Sequence, residues 1–188
     1  MINVKRKREE IGIVIRPGIL ENQVRKDIFL GIGSNLGNKK FNIEFAKFLL
    51  QSNGAIISNC SSYYITPSWP DPKKPKFLNI VVKIETKLLA DDLLRLCNAI
   101  EKHLGRKRTV KNEPRTCDID IIDYDRLIIK SDNSSILTLP HPKLSSRNFV
   151  LLPLFEISKN WIHPKSKISI AKLINLLKEK DLTTIKKI

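Results

Sequence analysis

Two aspartates one residue apart, in the run Cys117-Asp118-Ile119-Asp120-Ile121, are the most chemically pointed feature of this 188-residue chain. The flanking isoleucines make the run a strand candidate. A side-chain period of two then projects both carboxylates from one face and sends Ile119 and Ile121 into the other layer. Carboxylates that close repel each other unless a cation joins them. Hard oxygen donors in this number suit Mg²⁺, which is usually held by one or two carboxylates plus substrate phosphates. A general acid–base pair is a second reading, although adjacent same-face positions leave little room for a substrate between them. Solvated acids on an edge strand are a third. Asp123 and Asp125, where the strand ends, read as turn or surface groups.

The densest positive charge comes immediately before this pair. Lys102, Arg106, Lys107, Arg108, Lys111 and Arg115 face a single acid, Glu113, within residues 102–115. Arginine offers a rigid fork of donors that suits phosphate oxygens, whereas lysine acts mainly as a point charge. A basic loop beside paired carboxylates is the arrangement expected for a magnesium–polyphosphate substrate. A basic loop alone would fit nucleic acid as well, or be an ordinary solvated charge run. The acids favour the polyphosphate, because bare carboxylates beside a nucleic-acid backbone are unfavourable without metal.

Other candidates are weaker one by one. The turn Gly31-Ile32-Gly33-Ser34-Asn35-Leu36-Gly37 misses the dinucleotide pattern by one position and lacks the lysine of a P-loop. It reads as a tight strand-to-helix connection whose backbone can approach a ligand. Thr66, Pro67, Trp69, Phe77 and Asn79 lie in and around a proline-rich stretch. An aromatic ring with an Asn amide suits a flat heterocycle, stacked on one face and read at its edge. His141 stands between Pro140 and Pro142 in a rigid surface setting, with Arg147 and Phe149 nearby. Covalent catalysis has no signature here: GxSxG, HExxH and a spaced Cys/His pair are all missing from the sequence.

These residues need a frame, and the hydrophobic pattern supplies one. Residues 28–33 read as a buried strand and 39–51 as a helix, capped by Asn38 or Asn35. Residues 55–65 read as a strand, 66–77 as an exposed loop with four prolines, and 77–86 as a strand. A helix over 90–104 carries its apolar stripe on Leu93, Leu94, Leu96, Cys97 and Ile100. The basic loop 105–115 and the aspartate strand follow. That βαββαβ order predicts a two-layer α/β (α+β) fold of ferredoxin-like type with a largely antiparallel sheet. Beyond it lie a short strand pair after residue 126, a helix near 146–158 and a Lys-rich amphipathic helix near 168–180. Residues 1–27, with the basic run Lys5–Arg8, read as a solvated extension, 28–165 as the functional domain and 166–188 as its C-terminal helix and tail.

Composition bounds the rest. A formal charge of +15 points to a polyanionic partner, while 41% hydrophobic residues is ordinary globular usage. No apolar run approaches the eighteen residues of a membrane-spanning helix. Three cysteines without a CxxC pair make no disulfide scaffold and suit a reducing compartment, so a cytoplasmic location is expected.

Taken together, GIGSNLGN (31–38), SSYYITPSW (61–69), FLNIVVKIET (77–86), IEKHLGRKR (100–108), EPRTCDIDI (113–121) and LTLPHPKLSSRNFVLLPLFEI (137–157) closely resemble the 6-hydroxymethyl-7,8-dihydropterin pyrophosphokinases of folate biosynthesis. The resemblance covers about residues 28–165. It implies Mg²⁺-dependent transfer of pyrophosphate from ATP to the hydroxymethyl oxygen of a reduced pterin. Two Mg²⁺ ions would be held by Asp118 and Asp120. Arg106, Arg108 and Arg115 would serve catalysis, with Asn98, Glu101, Thr138, His141 and Arg147 joining Arg106 and Arg115 around ATP. Phe149 would stack on the pterin, with Thr66, Pro67, Trp69, Phe77 and Asn79 around it. The resemblance also implies a monomer, association with the next folate-pathway enzyme as an option, and no nucleic-acid or membrane partner. Both loops would act as lids. A non-catalytic basic RNA-binding module on the same scaffold is the alternative. Asn112, Glu113, Ile136 and Pro142 depart from the family pattern, which bears on loop closure and nucleotide affinity.

Overall fold

A computed structural model describes residues 24–106, 112–130 and 137–188. The elements run β1 (Arg25–Ser34), α1 (Lys39–Ser52), β2 (Ala55–Cys60), β3 (Tyr64–Thr66), β4 (Phe77–Thr86), α2 (Ala90–His103) and β5 (Asp118–Tyr124). A 3₁₀ turn (Leu144–Ser146) leads into α3 (Asn148–Ile157), followed by α4 (Ile170–Asn175), α5 (Glu179–Thr183) and β6 (Lys186–Lys187). The sheet order is β5-β1-β4-β3-β6, with β2 also paired to β4, and every pairing is antiparallel. The βαββαβ expectation holds, and the segment at 55–65 is one sheet position shared by two short strands. β1 starts at Arg25, so the first strand reaches three residues ahead of Ile28.

The sheet is buried on both faces, which makes three layers where two were expected. Ile28, Leu30 and Ile32 of β1 and Ile80, Val82 and Ile84 of β4 meet the apolar stripes of α1 and α2. The alternate residues Phe29, Val81 and Ile122 meet Val150, Leu151 and Leu154 of α3, together with Trp161 and Leu173. Strands covered on both sides lose the apolar–polar alternation and read as continuous runs, as LNIVV does in β4. The second core was not legible because the helix expected near 146–158 carried no signal of which face of the sheet it covers.

Local signals account for the ends of the elements. Asn38 caps α1 by accepting from the Phe41 amide at 3.1 Å. Gly54 and Gly105, both in the left-handed region, follow α1 and α2. Asp91 and Asp92 sit in the first turn of α2, where the helix dipole favours them. The Lys-rich helix anticipated over 168–180 is two short helices, α4 and α5, with only Ile170 and Leu173 of α4 buried. Of the strand pair anticipated after residue 126, residues 131–136 lie outside the described residues, and those described show a bridge from Ile129 to Leu139.

One aspartate is misplaced by the simple strand pattern. A bulge between Phe29 and Leu30 on β1 leaves Ile122 without a cross-strand partner. Alternation is reset after it, so Asp123 is 1% exposed and not a surface group. Asp123 accepts from Trp161 Nε1 at 2.8 Å and from the Arg126 amide at 3.2 Å. Burial pushes its carboxyl above the usual range, against the pull of the Trp161 hydrogen bond. It is a structural anchor for the third layer.

Candidate active site

β5 presents Asp118 and Asp120 on the face away from α1 and α2, while Ile119 and Ile121 enter that core. Their cross-strand partners on β1 are Gly33 and Gly31. The strip beside the carboxylates therefore carries no side chains on β1, and side chains of neighbouring strands, Asn79 and Phe77 at Gly33 and Ile122 at Gly31, come close to it. On the other side of β1, Gly33 pairs with Asn79 of β4, whose amide donates to Thr66 Oγ1 at 3.0 Å. A Cβ on Gly33 would fall 2.8 Å from Asn79 Oδ1, so glycine is what lets Asn79 occupy its place.

Three arginines converge on the two aspartates. Arg106 Nη1 meets Asp118 Oδ1 at 2.5 Å, and Arg115 Nη2 meets Asp118 Oδ2 at 2.7 Å. Arg147 Nη1 meets Asp120 Oδ2 at 2.5 Å, with His141 Nε2 at 3.8 Å from the same oxygen. Burial works against ionisation of Asp118, but Arg115 and Arg106 overcome it and hold the carboxyl below its usual range. Burial lowers the His141 imidazole, and the neighbouring Arg147 and Lys143 add to that against the attraction of Asp120. The His141 amide donates to Ile122 O at 2.9 Å, which fixes the backbone that carries the ring.

Glu101 lines the same cleft as the two aspartates and also ties elements together. It is 3% exposed and accepts from the Ile119 amide at 2.8 Å, between the two aspartates in sequence. The same oxygen meets Arg106 Nη1 at 2.5 Å. Its carboxylate ties α2 to the aspartate strand and to one arginine.

A cleft of about 330 Å³ opens over this cluster, lined among others by Asn98, Glu101, Arg106, Asp118, Asp120, Thr138 and His141. Pro142, one of the departures from the family pattern, also lines it, as do Leu94 and Leu137, which were not proposed as site residues from the sequence. Leu94 reads there as part of a helix stripe, and nothing in a linear pattern distinguishes a stripe residue that turns outward. Thr66 and Asn79 are buried beside Gly33, Pro67 is half-buried and Trp69 is 76% exposed. The two candidate stacking rings already carry guanidinium partners: Arg115 lies 5.0 Å from the Phe77 centroid and Arg147 5.4 Å from that of Phe149. Arg108 falls outside the described residues, as do Lys107 and Lys111 of the basic loop and the Lys5–Arg8 run.

The donor set fits a hard dication. Two same-face carboxylates match what Mg²⁺ takes from a protein when phosphate oxygens complete its shell. Both oxygens of Asp118 are held by arginines, which a cation bound there would displace. Arg115 has capacity for that exchange: among the described residues its buried Nε has no acceptor.

The chain matches the family model described as 7,8-dihydro-6-hydroxymethylpterin-pyrophosphokinase (HPPK) over residues 29–159. It is 38% identical over 142 residues to the 2-amino-4-hydroxy-6-hydroxymethyldihydropteridine pyrophosphokinase of Aquifex aeolicus, covering 73% of this chain and 83% of that protein. It is 42% identical over 137 residues to the folic acid synthesis protein FOL1 of Dictyostelium discoideum, covering 73% of this chain but only 20% of that one. The chain also spans about a fifth of the related proteins of Schizosaccharomyces pombe and Pneumocystis carinii (19% and 22%). A solved HPPK-DHPS structure from Plasmodium falciparum superposes with a TM-score of 0.65 at 17% identity, covering 83% of this chain and 44% of that one. Likeness at that identity bears on the fold alone. With paired aspartates, converging arginines and a family match across more than two thirds of its length, this chain belongs to the 7,8-dihydro-6-hydroxymethylpterin-pyrophosphokinase family.

Proposed function

We propose that this chain transfers pyrophosphate from ATP to the hydroxymethyl oxygen of 6-hydroxymethyl-7,8-dihydropterin, giving AMP and the pterin pyrophosphate. The observation that carries the reading is the convergence of Arg106, Arg115 and Arg147 on two same-face carboxylates at one cleft. In the reaction the alcohol oxygen bonds to the β-phosphorus, and the bond from that phosphorus to the α,β-bridging oxygen breaks. AMP departs with the bridging oxygen, and the alcohol proton is lost to solvent. The obstacle is the negative charge of the polyphosphate, which repels an attacking oxygen.

Asp118 and Asp120 would hold Mg²⁺, two ions on this reading, whose chemistry is to neutralise and align the polyphosphate. The arginines exchange their carboxylate partners for phosphate oxygens, placing fixed positive charge where negative charge builds in the transition state. Glu101 keeps the aspartate strand and Arg106 aligned with α2. His141, its backbone held by Ile122, offers a hydrogen bond at the phosphates. Leu94, Leu137 and Pro142 offer an apolar slot for the base, with Asn98 and Thr138 at its edge. Thr66 and Asn79 read the pterin edge, with Pro67, Phe77 and Phe149 forming walls. Holding both substrates in line supplies much of the remaining acceleration.

The catalytic unit extends over residues 28–165 on this reading, with 166–188 packed against it through α4. Among the described residues no helix is long and apolar enough to cross a membrane. The cytoplasm is the proposed site of action. Some relatives carry names such as folate synthesis bifunctional protein, which favours proximity to a partner enzyme of the same pathway. The RNA-binding alternative has no observation in its favour, since the arginines face acids in a cleft.

The test is incubation of the purified chain with ATP, Mg²⁺ and 6-hydroxymethyl-7,8-dihydropterin. AMP and the pterin pyrophosphate in equal amounts are expected. ADP as product, or no turnover by demonstrably folded protein, overturns the reading.

A further inference from the structure

The glycine-rich turn holds a residue that the reaction itself does not use. Asn35 is 2% exposed, and its side chain bonds two segments far apart in sequence. Its Nδ2 donates to Ser68 Oγ at 3.2 Å and to Pro75 O at 3.1 Å, near the two ends of the proline-rich loop. Ser68 Oγ donates in turn to Pro75 O at 2.6 Å, which closes that loop on itself. On its other side, Asn35 Oδ1 accepts from the Arg115 amide at 2.7 Å, and the Asn35 amide donates to Arg115 O at 3.1 Å. Arg115 then meets Asp118 through its guanidinium and lies over the Phe77 ring.

A second link joins the same two segments independently. Lys74 Nζ donates to Asn112 O at 3.1 Å and meets Glu113 Oε1 at 3.2 Å. This pair is exposed and is worth little alone, but it has the same effect as the buried amide. The loop beside Thr66 and the segment carrying Arg115 therefore move together or break hydrogen bonds that burial makes costly to lose.

We propose that Asn35 is a positioning residue that makes the proline-rich loop and the Arg115 segment one unit, so that ligand bound on either side strengthens binding on the other. The inference rests on the pyrophosphokinase reading above and adds to it the residue that transmits between the two subsites. An Asn amide suits the task because it donates on one side and accepts on the other. Asp at this position keeps the acceptor for the Arg115 amide but cannot donate to Ser68 Oγ or Pro75 O. Asn35→Asp thus cuts one half of the link and spares the other.

The test uses α,β-methylene-ATP with Mg²⁺ and 6-hydroxymethyl-7,8-dihydropterin, with each affinity measured by calorimetry with the other ligand absent and saturating. A wild-type coupling factor of about 5- to 150-fold is expected, the usual span for coupled sites. Asn35→Asp is expected to bring that factor to within about twofold of unity while changing each separate affinity by less than about threefold, on that same coupling scale. Glu113→Ala, an exposed change that leaves the buried amide intact, is expected to lower the factor by only about twofold. If Asn35→Asp does not fold, Ser68→Ala combined with Glu113→Ala weakens the link from the opposite side and is expected to halve the factor or more. A wild-type factor of unity overturns the inference and leaves the function reading standing. So does a variant that weakens both affinities with the factor unchanged, which is what a merely structural Asn35 would do. Binding of neither ligand by folded wild type overturns the function reading, and the coupling with it.

Discussion

Asn79 and Asp118 flank Gly33 from opposite sides: each is its cross-strand partner, one on β4 and the other on β5. Two strand spacings, roughly 9–10 Å, separate their backbones. The next row of the same face repeats the arrangement, with Gly31 between Val81 and Asp120. A heterocycle read by Asn79 and a phosphate beside Asp118 would meet over backbone that carries no side chain.

Gly33→Ala should damage the pterin side selectively. The added Cβ would stand 2.8 Å from Asn79 Oδ1 and force apart the Asn79–Thr66 bond. Overpacking of this kind costs about 1–3 kcal/mol. Calorimetry should show the pterin affinity falling by roughly tenfold or more on that scale, with the affinity for Mg²⁺ and an ATP analogue nearly unchanged.

Asp118→Asn and Asp120→Asn retain shape and remove charge. Either should lower AMP release by about 10²–10³-fold or more, the usual scale for losing one electrostatic stabiliser. Circular dichroism should remain that of the wild type. A variant with full activity would show that its carboxylate is not a cation ligand.

Glu101 should act on stability as well as activity. Glu101→Leu leaves the Ile119 amide without its acceptor and Arg106 without one of its two carboxylates. A loss of about 3 kcal/mol in urea unfolding is expected, as for other broken buried pairs. Glu101→Gln keeps an acceptor for the amide and should cost about 1 kcal/mol.

Glu156 gives the fold a pH dependence away from the cleft. Burial opposes its ionisation, but Ser62, Tyr64 and Lys187 together hold the carboxyl at about 2. A depressed carboxyl stabilises the fold fully above its unfolded value near 4.5 and loses that contribution as pH falls toward about 2. Denaturant unfolding at pH 7 and pH 3 should therefore show a smaller drop for Glu156→Gln than for wild type. At pH 7 the variant should be less stable by about 1–3 kcal/mol, the scale of hydrogen bonds to a charged group.

Much of the site was legible because its residues are neighbours in sequence. Asp118 and Asp120 share a face by strand periodicity, and Arg115 precedes them by one short turn. The antiparallel sheet was legible from the order of apolar runs. The third layer was not, since α3 and α4 pack on strands through Phe29, Val81 and Ile122, three positions on three different strands. Asp123 was misread because a bulge has no sequence signature of its own, and one extra residue reverses the facing of all that follow.

The sequence by itself determined the kinds of groups available: two hard-oxygen acids, a supply of arginines, glycines in the first strand and an Asn beside an aromatic ring. Those follow from residue type and from a period of two, which need only local geometry. Tertiary structure alone decided the pairings. Arg147 reaches Asp120 across 27 residues, Glu101 turns inward to Ile119, and Asn35 bridges Ser68 and Arg115. Contacts of that kind depend on strand register and on how helices lie across the sheet. Those are settled by packing the whole core at once, and no local run of residues carries that information.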